Sequence, residues 1–339
     1  MKKSVLFGTM AAAAVVAGAA GAGTLEDVIA RGELNCGSNA GLAGFSAPDA
    51  NGVYQGFDVA FCRAIAAAVL GDPMKVKVIP LSSETRFTAL AAGEVDMLAR
   101  TSTWTYSRDN DLKLDFVGVN YYDGQGFMVK KSLGVSSAKE LDGATVCIQT
   151  GTTTELNLAD YFKSNGMTYE PVPLKDNAEA EQQYTAGACD VYTTDASGLA
   201  ATRATFADAS EHVLLPEIIS KEPLALVVRH GDNQWADIVK WTFNALLTAE
   251  ELGITSTNVD EMAAAPGVNP EINRLLGTEG ELGAMMGLSK DWAVKAIKAG
   301  GNYGEIFEAN IGASTSIGLA RGLNALWTQG GLQYSPPFR

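Results

Sequence analysis

Basic charge is in short supply in this 339-residue chain, which carries 25 Lys and Arg against 39 Asp and Glu for a formal net charge of −14. A nucleic-acid-binding protein needs a cationic face to neutralise phosphates, so the balance argues against that class. It says little about a small ligand, because the local charge of a cleft decides that. Histidine is scarcer still. His212 and His230 are the only two, and neither sits at a metal-ligand spacing. No Ser-His-Asp set or nucleophile elbow appears, so the reading holds no metal, no cofactor and no enzyme. Charged residues make up only 19% of the chain and apolar ones 47%, the composition of a packed globular protein.

Long apolar runs are confined to the start. Lys2 and Lys3 precede an apolar stretch over 5–20, and small residues come next as Ala20-Gly21-Ala22. That is a basic n-region, an h-region and an A-x-A cleavage site, so residues 1–22 read as a signal peptide. A membrane anchor would need roughly 20 apolar residues, bulkier than this Ala/Gly-rich run. The expectation is an exported chain, soluble once cleaved.

Beyond that segment the chain alternates strand-like runs with amphipathic helices, the α/β signature. Leu34-Asn-Cys-Gly37 opens as a strand. Phe57, Phe61, Ile65 and Val69 mark one apolar helix face closed by Gly71. Val76-Lys-Val-Ile79 alternates as a strand, Phe87, Leu90 and Ala91 mark a helix stopped by Gly93, and Val95-Asp-Met-Leu98 is the next strand, the one that leads to Arg108. A weak repeat accompanies this order. Ala92-Gly-Glu-Val-Asp96 matches Ala186-Gly-Ala-Cys-Asp190, and Gly32-Glu-Leu-Asn-Cys36 matches Gly143-Ala-Thr-Val-Cys147. Two lobes of similar topology are expected: 23–126, then 127–219, with a return to the first lobe over 220–265. Asp123-Gly-Gln-Gly126 and Ser220-Lys-Glu-Pro223 would be the two crossings of a hinge. Residues 266–339 read as a helical C-terminal extension packed on the first lobe. Four cysteines in an exported chain favour disulfides, with three pairings open. The within-lobe pairing Cys36–Cys62 and Cys147–Cys189 is the one read here, against four buried free thiols.

Arg108 and Asp195 carry the chemistry. Each lies just past a short apolar strand, where ligands of open α/β sheets bind. A guanidinium is the two-pronged partner of an α-carboxylate, and a carboxylate is the acceptor of an α-ammonium. Together they form a candidate clamp for an α-amino acid. Gly151-Thr-Thr-Thr-Glu155 precedes a helix, so its free N–H groups offer an anion site at the helix start. The plainer reading is a Thr N-cap with Glu155 closing a capping box. Trp104, Trp235 and Trp241 read as core or hinge packing, with Trp104 a possible reporter of closure.

The motif order resembles the polar amino-acid-binding receptors of ABC importers, the family-3 solute-binding proteins. It runs through Gly56-Phe-Asp58, Arg86-Phe-x-x-Leu90, Gly93-x-x-Asp96, Thr105-x-x-Arg108, Gly151-Thr-Thr-x-Glu155, Gly187-x-x-Asp190 and Asp195. Thr101-Ser-Thr-Trp-Thr105, Tyr121-Tyr-Asp-Gly-Gln-Gly-Phe127 and Asn302-Tyr-Gly-Glu-Ile-Phe307 resemble a narrower group. That group comprises the general L-amino-acid and glutamate/glutamine/aspartate/asparagine receptors of Gram-negative bacteria. The resemblance implies the type II periplasmic binding fold, with two lobes on a two-stranded hinge. It also implies a periplasmic monomer that closes on its ligand and delivers it to the permease subunits of an importer with its ATPase.

Carried over, it assigns Arg108 to the α-carboxylate with Thr103 and Thr153 donating to the same group, and Asp195 to the α-ammonium. Thr101 contributes through its carbonyl or hydroxyl, and Thr152 through the helix-start loop. Arg86 and Arg100 would read the ligand side chain, with Ser38 and Asn39 at the mouth. Two arginines there favour Glu, Asp, Gln and Asn over basic side chains. Where several relatives stack an aromatic over the ligand, this chain has Leu42, with Phe45 nearby. A broad-specificity receptor and a sensory role are the alternatives. A dehydratase on the same fold would need Glu155 as its acid/base.

Overall fold

The computed structural model describes residues 23–265 and 267–339, so the leader segment lies outside the described residues. The chain builds two five-stranded sheets. The first begins with helix α1 (Thr24–Arg31), strand β1 (Leu34–Ser38), a small hairpin of β2 (Ala47–Pro48) and β3 (Tyr54–Gln55), and helix α2 (Phe57–Leu70). It continues through β4 (Val76–Pro80), α3 (Arg86–Ala91), β5 (Met97–Thr103), α4 (Tyr106–Asn110) and β6 (Leu114–Asp123). The chain then crosses at Gly124 into β7 (Gln125–Lys130), β8 (Ala144–Gln149), α5 (Thr153–Ser164), β9 (Tyr169–Leu174), α6 (Asn177–Thr185), β10 (Val191–Asp195), α7 (Ala196–Arg203) and β11 (His212–Leu214). It returns as β12 (Glu222–Arg229) and the long helix α8 (Asn233–Glu251).

The strand orders are β4-β1-β5-β12-β6 and β9-β8-β10-β7-β11. Both sheets have one pattern, in which three parallel strands meet two antiparallel ones. The Ala-Gly-x-x-Asp repeat precedes β5 in one sheet and β10 in the other, so the weak sequence match marks equivalent positions. Strand β5 runs on past the apolar stretch that marks its start, because Ser102 and Thr103 pair with Ala225 and Leu224 of β12. The register shifts between Ala225 and Val227, and opposite that irregularity Thr101 adopts φ +38°. A β-branched residue there is strained, and such strain collects at sites. Where the two crossings meet, a Cβ on Gly124 would lie 2.2 Å from Ile218 Cγ2 and 2.8 Å from the Ser220 carbonyl. Only glycine lets them pass so closely.

Helix α2 departs from the single apolar face read from its sequence. Val59, Cys62, Ala66 and Ala67 are buried as well as Phe57, Phe61 and Ile65. The reason lies far along the chain. After α9 (Val259–Ala264), α10 (Pro270–Leu275) and α11 (Leu282–Met285), helices α12 (Trp292–Gly300) and α13 (Tyr303–Asn310) pack on the side of α2 turned from the sheet. No α-helix forms after Asn310, where only two short 3-10 turns, Gly322–Asn324 and Trp327–Gln329, continue the helical character. The remaining tail runs along β6, the edge strand. Asn324 accepts from the Tyr122 N–H at 2.6 Å and donates to its carbonyl at 3.1 Å, while Gln333 donates to the Val119 carbonyl at 3.1 Å. Side-chain amides thus occupy an edge that would otherwise expose unpaired backbone groups.

Two disulfides form, Cys36–Cys62 with Cα atoms 6.1 Å apart and Cys147–Cys189 at 5.6 Å. The first ties β1 to α2, and the second ties β8 to the turn before β10. Closing loops of these lengths restricts the unfolded chain by about 3–4 kcal/mol each. Replacing either pair by serines should therefore lower the unfolding free energy by about that amount in a urea titration, and the two losses should add because the bonds lie in separate sheets.

Candidate ligand-binding site

The carboxyl ends of β1, β5, β8 and β10 converge on one cavity between the sheets. The first sheet contributes Asn39, Leu42, Ser83, Arg86, Arg100, Thr101 and Thr103, and the second contributes Gln149, Thr152, Thr153, Thr154, Asn177, Tyr192, Thr194, Asp195 and Ser197. At the rim Thr150 Oγ1 donates to Glu84 Oε1 at 2.6 Å, a bond from one sheet unit to the other.

Three buried arginines give the first-sheet side its character. Arg100 donates from Nε to the Leu81 carbonyl at 3.1 Å and from Nη2 to Ser83 Oγ at 3.2 Å. Burial lowers it to about 10, and the nearby Asp58 opposes the shift. Arg86 opens α3 and meets only the Arg100 and Thr101 carbonyls, both at 3.4 Å, while its buried Nε has no partner. Burial and the neighbouring charges of Arg100 and Arg108 push it well below the ordinary guanidinium range. Arg108 sits in α4, whose N-cap Thr105 accepts from the Arg108 N–H, and its Nη1 donates to the Thr103 carbonyl at 2.9 Å. Both Arg86 and Arg108 lie over the Phe87 ring, at 4.7 and 5.0 Å from its centre. Like charges this close and this dry favour an anion among them.

Asp195 supplies the opposite sign. It occupies the N-cap position of α7 yet makes no capping bond, so its carboxylate faces the cavity unspent. Burial raises it well above the carboxylate range, the nearby Asp123 and Glu222 add to this, and Arg86 and Arg108 oppose it. Asp123, bonded to the Gly124 and Ser197 N–H groups, is itself raised to about 6, chiefly by burial. A cation placed beside Asp195 would relieve this crowding of carboxylates.

Of the residues singled out in the sequence, Asn39, Arg86, Arg100, Thr101, Thr103, Thr152, Thr153 and Asp195 line the cavity. Ser38 does not; it ties β1 to β5 by donating to the Ala99 carbonyl at 2.7 Å. Arg108 is absent from the lining. Thr152 caps α5 by accepting the Glu155 N–H and donates to the Gln149 carbonyl, but Glu155 closes no capping box and is exposed. Phe45 packs in the core against Phe57 and Tyr121, so only Leu42 of that pair reaches the cavity. Trp104 stacks on Phe116 outside it, Trp235 is core and donates to the Asp96 carbonyl, and Trp241 packs on Phe338. Among the described residues no group of His, Cys, Asp and Glu could hold a metal.

The sequence reading missed Ser83, Gln149, Asn177, Tyr192 and Ser197, and above all Glu222. Gln149 adjoins the Gly-Thr-Thr motif, and Tyr192 shares a strand face with Thr194 two residues on, so both had a local signal. Glu222 had none. Its Oε2 accepts from Thr103 Oγ1 at 2.6 Å and Thr153 Oγ1 at 2.9 Å, and its Oε1 from Asn157 at 2.7 Å and Ser220 at 2.6 Å. Both threonines, read from the sequence as donors to a ligand carboxylate, are thus held by one acid between the two sheets.

The family model of bacterial extracellular solute-binding proteins, family 3, matches residues 34–257. The chain belongs to this family. Over its full length it is 72% identical to the glutamate/glutamine/aspartate/asparagine-binding protein of Rhodobacter capsulatus, and covers 100% of that protein. A general L-amino-acid-binding periplasmic protein of Rhizobium johnstonii is 57% identical, with both chains covered completely. Among solved structures, a periplasmic binding protein of an ABC transporter from Brucella ovis, with glutathione bound, superposes with a TM-score of 0.91 at 56% identity. That match covers 94% of this chain and 100% of the other. The fold is that of type II periplasmic binding proteins. This chain is a family-3 solute-binding protein, and Glu155 has no place at the cavity.

Asp58, buried behind Arg100, has one carboxylate oxygen without a partner and is raised by burial to about 7. The unfolded chain gives up this proton near pH 4, whereas the folded one keeps it up to about 7. The stability it contributes is therefore complete below about pH 4 and lost as pH rises through 7. Asp58→Asn should flatten unfolding free energy between pH 5 and 8 and stabilise the protein at pH 8 by up to about 4 kcal/mol. An unchanged pH profile in chemical denaturation would mean that Asp58 does not titrate there.

Proposed function

We propose that this receptor takes up acidic and amide L-amino acids, Glu, Gln, Asp and Asn, in the cavity between its two lobes. The observation that carries the reading is one cavity lined both by arginines with unspent donors, Arg86 above all, and by an unspent carboxylate, Asp195. An α-amino acid with a polar tail matches both. Asp195 would accept the α-ammonium, together with the carbonyl of strained Thr101. The α-carboxylate would lie at the start of α5, against its free N–H groups and within the field of Arg108. Arg86 and Arg100 would hold the side-chain carboxylate or amide, with Asn39 beside them. The names of the relatives from Rhodobacter capsulatus and Rhizobium johnstonii support amino acids as the ligand class.

The moving parts would be the lobes 23–126 with 220–265, and 127–219, turning about Gly124 and the 220–223 crossing, with 266–339 fixed to the first. Ligand shifts the balance toward closure only by contacts it makes to both lobes at once. The protein would act in the periplasm as a monomer, after loss of residues 1–22. It would pass its ligand to membrane permease subunits powered by an ATPase. A broader receptor is the second reading. The glutathione in the Brucella ovis structure favours it, since a γ-glutamyl group keeps the same α-ammonium and α-carboxylate while extending the tail.

Titration of refolded, ligand-stripped protein with all twenty L-amino acids tests this. Asp195→Ala and Arg108→Ala should each weaken binding by about 2–5 kcal/mol, roughly 30-fold or more, with circular dichroism unchanged. Arg86→Met should cost the dicarboxylic amino acids about tenfold more than the amides, since only the former set a full charge against it. Equal losses across all twenty would remove Arg86 from side-chain recognition.

A further inference from the structure

Asp58 is a buried acid to which the ligand roles above assign nothing. It sits in the first turn of α2 yet caps nothing, for the N-cap is Gly56 and no side chain closes that end. Oδ1 accepts from the Asn120 amide at 3.3 Å, and Oδ2 has no partner. Burial of so thinly bonded an acid costs stability. The groups that face it are few. They are Asn120 from β6, the Thr101 N–H from β5 and the guanidinium of Arg100, the residue before Thr101. No charged side chain of the other elements packed on α2 joins them. The relation is mutual. The fixed partners of Arg100 are neutral, the Leu81 carbonyl and Ser83, and of the charges around it Asp58 weighs most, ahead of Arg108 and Asp195. Arg100 lines the cavity, whereas Asp58 lies behind it.

We propose that Asp58 sets the charge that Arg100 presents to the ligand tail, and with it the preference between dicarboxylic and amide amino acids. This rests on the reading of Arg100 as a side-chain contact and deepens it. Asp58 touches no ligand and acts through Arg100 alone. With Asp58 ionised, its charge offsets that of Arg100, and a tail carboxylate meets chiefly the spare charge of Arg86. With Asp58 protonated, Arg100 adds a full charge, which an anionic tail feels and an amide largely does not. Burial raises Asp58 to about 7, so the exchange falls near neutral pH. The preference for L-glutamate over L-glutamine is then greatest in acid and declines as pH rises through about 7, while the γ-carboxyl of the ligand stays ionised. By linkage, an anionic tail beside Arg100 draws a proton onto Asp58. Asp123 and Asp195 are raised as well, so a variant must separate them from Asp58.

The test is calorimetric titration of the ligand-stripped protein with L-glutamate and L-glutamine across neutral pH, in paired buffers of different ionisation enthalpy so that bound protons are counted. In the wild type the ratio of glutamate Kd to glutamine Kd should rise about tenfold from about pH 5.5 to about pH 8.5, and glutamate should take up more protons than glutamine near pH 7. Asp58→Asn should hold the ratio flat at its acid value and abolish the extra uptake. Arg100→Met removes the group through which Asp58 acts, and provides the second arm should the asparagine variant fail to fold. It should flatten the same profile. A wild-type ratio that stays flat or falls with pH would overturn the proposal. So would a profile that persists in folded Asp58→Asn or Arg100→Met, or an equal loss of both ligands in Asp58→Asn with the profile intact, the mark of a merely structural role. If the wild-type chain binds neither ligand at any pH, the receptor reading falls and this inference with it. If it binds them and the ratio ignores pH, this inference alone falls.

Discussion

Charge held away from water must be matched by charge or by hydrogen bonds, and the centre of this molecule is arranged around that requirement. Arg86, Arg100 and Arg108 are buried on one side, and Asp58, Asp123, Asp195 and Glu222 press in around them. Most of these groups have fixed partners. Arg100 is anchored through two of its donors to the Leu81 carbonyl and Ser83, Asp123 accepts from backbone N–H groups at the crossing, and Glu222 accepts from four donors of both lobes and the hinge. What stays unspent is small and of both signs: donors on Arg86 and the rest of the Arg100 guanidinium, and the carboxylate of Asp195. A zwitterion with a polar tail supplies what each of them lacks.

The scaffold serves that centre by bringing four strand ends to it. Parallel strands place their carboxyl ends on one edge of each sheet, and two crossings bring the two edges face to face. The 2.2 Å approach that a Cβ would make at Gly124 shows how tightly those crossings are packed. The C-terminal region acts at a distance. Its helices enclose α2, and its tail amides satisfy β6 as far as Tyr122, the residue before Asp123. Tyr122 is thereby fixed to the C-terminal tail two residues before the crossing at Gly124.

Much of this was legible residue by residue. The α/β alternation comes from apolar spacing, and the Gly-Thr-Thr turn, Arg86, Arg100 and Asp195 belong to motifs whose members lie within a few positions of one another. Helix α2 was read as half-buried because its second cover, α12, comes more than 200 residues later. Strand β5 was read short, because polar Ser102 and Thr103 look like a strand end until β12 is laid beside them. Glu222 lies 119 residues from Thr103 and 69 from Thr153, and no local pattern marks an acid that far from its partners. That shared acid is what fixes the two hydroxyls relative to each other.

The sequence by itself determined the elements, the two-fold repetition of their order, and the residue types of the clamp. These depend on side-chain periodicity and on the chemistry of single residues, which need only local spacing. The tertiary structure alone decided which charges are spent and which are left to meet a ligand. That depends on contacts between segments far apart in the chain, where a few ångströms separate a free donor from a satisfied one.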